Sequence, residues 1–179
     1  MKKKALILGI TGQDGSYMLE LLIKKKYEIH GLIRKSATGN TKNIDHIIKN
    51  KKIFSKRFFL HKGDLLDMGS IGSVIKKTNP DEIYNFADQD HVKWSFEIPS
   101  YSFGITGSAV INILEIIRNS SPKSKYFQPY SSIHSAQENY CRVDRYRRFY
   151  DFSVSKLSCL TLLCCFVNIA VNRKEMIPI

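Results

Sequence analysis

Gly9, Gly12 and Gly15 stand in the spacing G-x-x-G-x-x-G. Glycines so spaced can bind an anion through the backbone rather than through side chains. The first permits a tight turn. The second keeps a side chain out of the path of a pyrophosphate, and the third lets a helix pack on a strand. That chemistry needs a strand before the glycines and a helix after them. Ala5-Leu6-Ile7-Leu8 is apolar throughout, as expected of a strand buried on both faces. Apolar residues at Tyr17, Leu19, Leu21, Leu22 and Ile23 predict the helix. Its N-terminus would offer free N–H groups and the positive end of the helix dipole. The alternative is a glycine-rich turn with no ligand.

A second group of chemically able residues follows the next apolar segment. Glu28–Ile33 is predicted as a strand, and it runs into Arg34-Lys35-Ser36. An acidic residue at this point would accept the ribose hydroxyls of NAD, whereas two cations and a hydroxyl suit a 2′-phosphate. The expected cofactor is therefore NADP. The competing reading leaves Arg34 and Lys35 as solvated surface. After a third predicted strand, Phe58–Lys62, Asp64 is placed to accept from an adenine amino group. Either Asp64 or Asp67 is placed to cap the helix expected over Ser70–Lys77.

The remaining elements continue the alternation. Residues 37–56 are polar, with a weak helical pattern over Ile44–Ile48. Pro80 ends the helix before it, and Glu82–Ala87 reads as a fourth strand. A long helix is expected over Tyr101–Asn119, and a fifth strand over Tyr126–Tyr130, with Pro129 marking its end or a sheet edge. Alternating strands and helices argue for an α/β fold: a Rossmann-like, doubly wound parallel sheet of five strands. Ligands of such sheets sit at the carboxyl ends of the strands, so residues 87–97 are candidates for the substrate side.

Bulk composition narrows the class. A chain of 179 residues suits one domain, expected over residues 1–179, and 43% hydrophobic with 25% charged residues is ordinary for a globular protein. The net charge of +12 is compatible with a polyanion partner, but no zinc-finger, helix-turn-helix or RNP pattern accompanies it. No nucleic-acid partner is expected. The apolar segment after Met1-Lys2-Lys3-Lys4 is too short for a signal peptide. The apolar run Leu157–Val171 is shorter than the roughly 20 residues needed to span a bilayer. No membrane partner is expected either. Cys141, Cys159, Cys164 and Cys165 lack metal-ligand spacing and are expected to be reduced thiols in a cytoplasmic protein, with no metal site.

Longer words in the sequence carry a resemblance. Gly9-Ile10-Thr11-Gly12-Gln13-Asp14-Gly15-Ser16-Tyr17, Asn43-Ile44-Asp45-His46, Arg57–His61, Gly63-Asp64-Leu65, Pro80–Asn85 and Ser95–Pro99 together resemble the GDP-mannose 4,6-dehydratase family, which belongs to the extended short-chain dehydrogenases/reductases. The likeness weakens after Lys125 and is nearly gone after Lys156. It implies an NADP-dependent lyase acting on GDP-mannose, yielding the 4-keto-6-deoxy sugar nucleotide that precedes GDP-fucose. It also implies a homo-oligomer, joined through the loop after Arg34. A C-terminal substrate domain is expected to be lacking.

Carried over residue by residue, the resemblance implies cofactor contacts at Gly9, Thr11, Gly12, Gln13, Asp14, Gly15, Arg34, Ser36, Asp64, Leu65, Phe86, Ala87 and Lys156. Substrate contacts fall on Gln89 and Glu97. Ser131 stands at the position that hydrogen-bonds the sugar C4 oxygen, and Lys156 at that of the lysine that lowers a tyrosine pKa. The tyrosine position itself is Phe152, and the glutamate position that takes the C5 proton is Ile133. Neither side chain can accept a proton, so little or no turnover is expected. Tyr150, six residues before Lys156, would point away from it on a helix. Near the fourth strand the family pattern has small residues where this chain has Phe86 and Asp88, and a serine where it has Asp90.

Overall fold

The structure, a computed structural model, describes residues 2–34, 40–89 and 92–129. β1 (Lys4–Leu8), β2 (Glu28–Ile33), β3 (Phe58–Lys62), β4 (Glu82–Asn85) and β5 (Lys125–Phe127) form one sheet in the order β3-β2-β1-β4-β5. Every pairing is parallel. The order reverses at β1, where the chain passes from β3 to β4, and this reversal opens a crevice at the carboxyl ends of β1 and β4. The five-stranded, doubly wound sheet expected from the sequence is present.

Alternate residues of β1 supply two cores. Ala5 and Ile7 point to the face covered by α1 (Gln13–Lys24), a 3₁₀ turn (Lys42–Ile44) and α2 (Asp45–Ile48), where Leu19, Leu22, Ile44, Ile47 and Phe58 are buried. Leu6 and Leu8 point to the face covered by α3 (Met68–Thr78) and α6 (Ala109–Ser120). There Ile71, Ile75, Ile113 and Ile117 are buried with Ile83 and Tyr126. A central strand buried on both faces needs apolar residues at every position, as Ala5–Leu8 has.

Several local expectations are corrected. Tyr17 is 62% exposed and Leu21 44% exposed, so the buried stripe of α1 runs instead through Gly15, Ser16, Leu19 and Leu22. Small residues face the sheet there because the helix lies close to it. The strand expected over Glu82–Ala87 ends at Asn85, and the one expected over Tyr126–Tyr130 is Lys125–Phe127. Asn85 is buried, and its amide donates to Tyr126 Oη (3.1 Å) and to Gln128 Oε1 (2.8 Å) while accepting from the Ala87 N–H (3.1 Å). Side-chain bonds thus replace the ladder where β4 ends.

The single helix expected over Tyr101–Asn119 is a composite. A separate helix, α4, covers Val92–Glu97. α5 (Pro99–Phe103) starts on Pro99 at its first turn, and a π turn (Gly104–Ser108) joins it to α6. The run Pro99–Ser120 is apolar and long enough to cross a membrane by length and composition alone, at hydropathy 1.3. Its buried face, with Ile105, Ala109, Ile113, Leu114 and Ile117, packs into the sheet core, as a core helix does. Of the two proposed caps of α3, Asp67 holds the position, accepting from the N–H groups of Gly69 (3.1 Å) and Ser70 (3.3 Å).

Candidate functional site

The glycine turn is shaped by backbone contact. Gly9 has φ +73°, and a Cβ there would lie 2.6 Å from the Ala87 nitrogen. A Cβ on Gly15 would lie 2.3 Å from the Gly9 oxygen and 2.8 Å from the Ile10 Cα. Any side chain at either place would drive α1 off β1 or β4 off the turn. Gly12 differs, since the nearest obstacle to its Cβ is the Gly9 oxygen at 3.3 Å. Its Cβ position is free on the cavity side, the place where a ligand phosphate would need room.

Gly12 is also the N-cap of α1 and gives it no side-chain cap. The first capping bond runs from the Ser16 N–H to the Gly12 oxygen (3.0 Å), so the N–H groups of Gln13, Asp14 and Gly15 precede it. Uncapped donors at a helix start, with the dipole behind them, form an anion site. The Gln13 oxygen accepts from Ser16 Oγ (2.7 Å), and Gln13, Asp14 and Gly15, expected as cofactor contacts, are not among the residues lining the cavity beside this turn.

A cavity of about 790 Å³ opens over the turn, within the ~300–1,000 Å³ of small-molecule sites. Gly9, Thr11, Gly12, Arg34, Asp64, Leu65, Phe86 and Ala87, all expected at a cofactor site, line it. Arg34 leaves the end of β2 and donates through Nη1 to Tyr101 Oη on α5 (3.3 Å). Lys62, at the end of β3, adds a second cation to the same end of the cavity. Among the described residues no carboxylate lines the cavity at the end of β2. Asp64 Oδ1 accepts from the Leu66 N–H (2.9 Å), which holds the carboxylate at the rim beyond β3.

Sequence reasoning missed several lining residues. Asn40 and Thr41 close one side, and Asn43 Nδ2 donates to the Thr11 oxygen (2.8 Å), tying this segment to the glycine turn. Tyr101 and Ile105 reach the cavity from α5 and the π turn. The Asn43 contact spans 32 positions in sequence and had no local signal.

The two expected substrate residues are not part of this lining. Gln89 Nε2 donates to Ser102 Oγ on α5 (3.0 Å). Glu97 forms an exposed pair with Lys93 (3.3 Å) one helical turn away. Ser36, Ser131 and Lys156, with Ile133 and Phe152, lie outside the described residues. Among the described residues no three His, Cys, Asp or Glu side chains gather as a metal site.

Two polar clusters lie away from the cavity. Glu82 is buried and accepts from Lys3 Nζ (3.3 Å), Tyr27 Oη (3.3 Å) and Tyr84 Oη (2.9 Å). Burial, then the Glu82 hydrogen bond, pushes the Tyr84 phenol far above its usual range. His30 Nδ1 and His61 Nε2 share a hydrogen bond of 3.0 Å, and His30 Nε2 bonds Glu28 Oε1 (3.2 Å). Burial holds both imidazoles below their usual range. Glu28 opposes this at His30, and at His61 the neighbouring His30 adds to it.

Comparison with known proteins matches this architecture. The solved UDP-Glc/GlcNAc 4-epimerase from Campylobacter jejuni superposes with a TM-score of 0.60 at 22% identity, over 70% of this chain and 36% of that one. The UDP-glucose 4-epimerase of Thermus thermophilus, solved in complex with NAD, gives 0.54 at 26% identity, over 65% and 34%. In sequence, a GDP-mannose 4,6-dehydratase of Vibrio cholerae is 44% identical over 118 residues, covering 66% of this chain and 32% of its own length. GDP-mannose 4,6 dehydratase 2 of Arabidopsis thaliana is 45% identical over 136 residues, covering 73% and 36%. The chain thus spans about a third of the length of the curated relatives it matches. The family model for GDP-mannose 4,6 dehydratase matches residues 6–140, from within β1 past the end of β5. By that match and those identities, the chain belongs to the GDP-mannose 4,6-dehydratase family.

Proposed function

We propose that this chain forms the cofactor-binding half of a GDP-mannose 4,6-dehydratase-type site and binds NADP there. The observation that carries the reading is the uncapped start of α1, seated against the Gly9 turn with an open Gly12 at the mouth of the cavity. The pyrophosphate would be held by the N–H groups of Gln13, Asp14 and Gly15. Arg34 and Lys62 would meet the 2′-phosphate, and Asp64 would accept from the adenine amino group. When bound, NADP supplies a reversible store for one hydride.

The sugar nucleotide of this reading is GDP-mannose, with Gln89 and Glu97 on its side of the crevice. Ser131 would hydrogen-bond the C4 oxygen, and Lys156 would bind the cofactor ribose. Phe152 and Ile133 replace the two groups that would move protons, so the chain binds without efficient turnover. An assembly of several copies, joined through the loop after Arg34, goes with this reading. So does a cytoplasmic location, since the sugar nucleotide is soluble.

The test is calorimetry of the intact protein with NADP and NAD, followed by incubation with NADP and GDP-mannose. The expected result is tighter binding of NADP than of NAD, with no 4-keto product above background. Absence of binding by either nucleotide would overturn the cofactor assignment, and rapid product formation would overturn the claim of lost turnover.

A further inference from the structure

We propose that the Asp88 carboxylate makes this cavity favour the oxidised, cationic nicotinamide over the reduced, neutral one. The proposal rests on the nicotinamide-cofactor reading above. A dinucleotide in a doubly wound sheet straddles the point where strand order reverses, with its pyrophosphate at the first helix and its adenosine ribose at the end of β2. Its other mononucleotide therefore extends toward β4. Asp88 lies just past the end of β4, on that side, and lines the cavity.

The carboxylate is held rather than loose. Its Oδ1 accepts from the Gln89 N–H (2.7 Å) and from Thr106 Oγ1. Thr106 belongs to the π turn between α5 and α6, the same turn that brings Ile105 to the cavity wall. Both bonds go to Oδ1, which leaves Oδ2 without a hydrogen bond among the described residues. No described cation forms an ion pair with Asp88.

Both cations of the lining, Arg34 and Lys62, stand at the ends of β2 and β3, beside the Asp64 carboxylate, whereas Asp88 stands past the end of β4 with no cation of the lining on that strand. The two redox forms of the nicotinamide differ by one positive charge. A fixed carboxylate near the ring attracts only the oxidised form, so it changes the ratio of the two affinities. Asp88 is exposed to solvent, which weakens the interaction to roughly three- to tenfold in that ratio. A small, uncharged residue at this position would not discriminate in this way.

The experiment measures dissociation constants of the intact protein for NADP⁺ and NADPH, in wild type, Asp88→Asn and Asp88→Ala. Asparagine keeps an oxygen for Thr106 and Gln89 while removing the charge. The expected result is a wild-type preference for NADP⁺ that falls roughly three- to tenfold in both variants, mostly through weaker binding of NADP⁺. In the wild type the preference should also shrink as salt rises from about 0.05 to about 0.5 M. This arm needs no variant to fold. An unchanged ratio in the variants, or a salt-independent preference, overturns the proposal while leaving the cofactor reading intact. Failure of the wild type to bind either form overturns both.

Discussion

The two ends of the cavity are built by different means. At the β1–α1 end, shape comes from backbone against backbone. Gly15 lets α1 lie on the turn, and Gly9 lets the turn pass beneath Ala87. At the β4 end, shape comes from side chains: Asn85 bonded to Tyr126 and Gln128, and Asp88 bonded to Thr106. A backbone-built site tolerates few substitutions and leaves a spacing that can be read. A side-chain-built site can change its charge while the fold persists. Asp88 occupies such a place, just past the end of β4 and bonded to Thr106 rather than built into the sheet.

The sharpest way to break this contrast is Gly15→Ala. With a Cβ 2.3 Å from the Gly9 oxygen, something in the backbone must move. We expect a loss of about 2–4 kcal/mol in urea unfolding, together with loss of cofactor binding. A variant of near wild-type stability would show that the turn is softer than its packing implies.

Next in size is Arg34→Ala. Removal of a charge-assisted bond should weaken NADP by about 1.5–3 kcal/mol, or roughly ten- to a hundredfold, while NAD changes little. Equal weakening of both nucleotides in calorimetry would place Arg34 on the pyrophosphate instead. The frame below the cavity is probed by Asp67→Ala, which removes the cap of α3. The expected cost is about 1 kcal/mol in urea, with cofactor affinity unchanged.

The smallest effect concerns pH and the His30–His61 pair under the β2–β3 end. Both groups titrate below their usual range in the folded chain, so the unfolded chain takes up protons first as pH falls. Their contribution is complete above the unfolded imidazole value of about 6.5 and is lost as pH drops through and below it. The urea midpoint should therefore fall between about pH 7.5 and about pH 5.5. That slope should flatten in His61→Gln. An unaltered slope in the variant would assign the effect to other groups.

The contrast also explains what the sequence disclosed. The glycine spacing, the apolar Ala5–Leu8 run and the alternation of elements state local backbone needs, so the sheet and the turn were legible. Tyr17 and Leu21 misled because an apolar side chain on a helix need not face the core, while Gly15 and Ser16 do so here. The break between α5 and α6 lacks a residue that demands a π turn. The Asn43–Thr11 bond and the His30–His61 pair depend on how distant segments come together, which no spacing within either segment encodes. Asp88 was visible as one of residues 87–97 after the fourth strand and as a departure from the resemblance, its partner Thr106 only in the fold.

The central claim is that the start of α1 holds the cofactor pyrophosphate, and amide resonances report on it directly. Titration of NADP into isotope-labelled protein should shift the N–H signals of Gly12, Gln13, Asp14 and Gly15 first and most, saturating together with those of Arg34. Shifts confined to other parts of the chain, or none at all, would contradict the account.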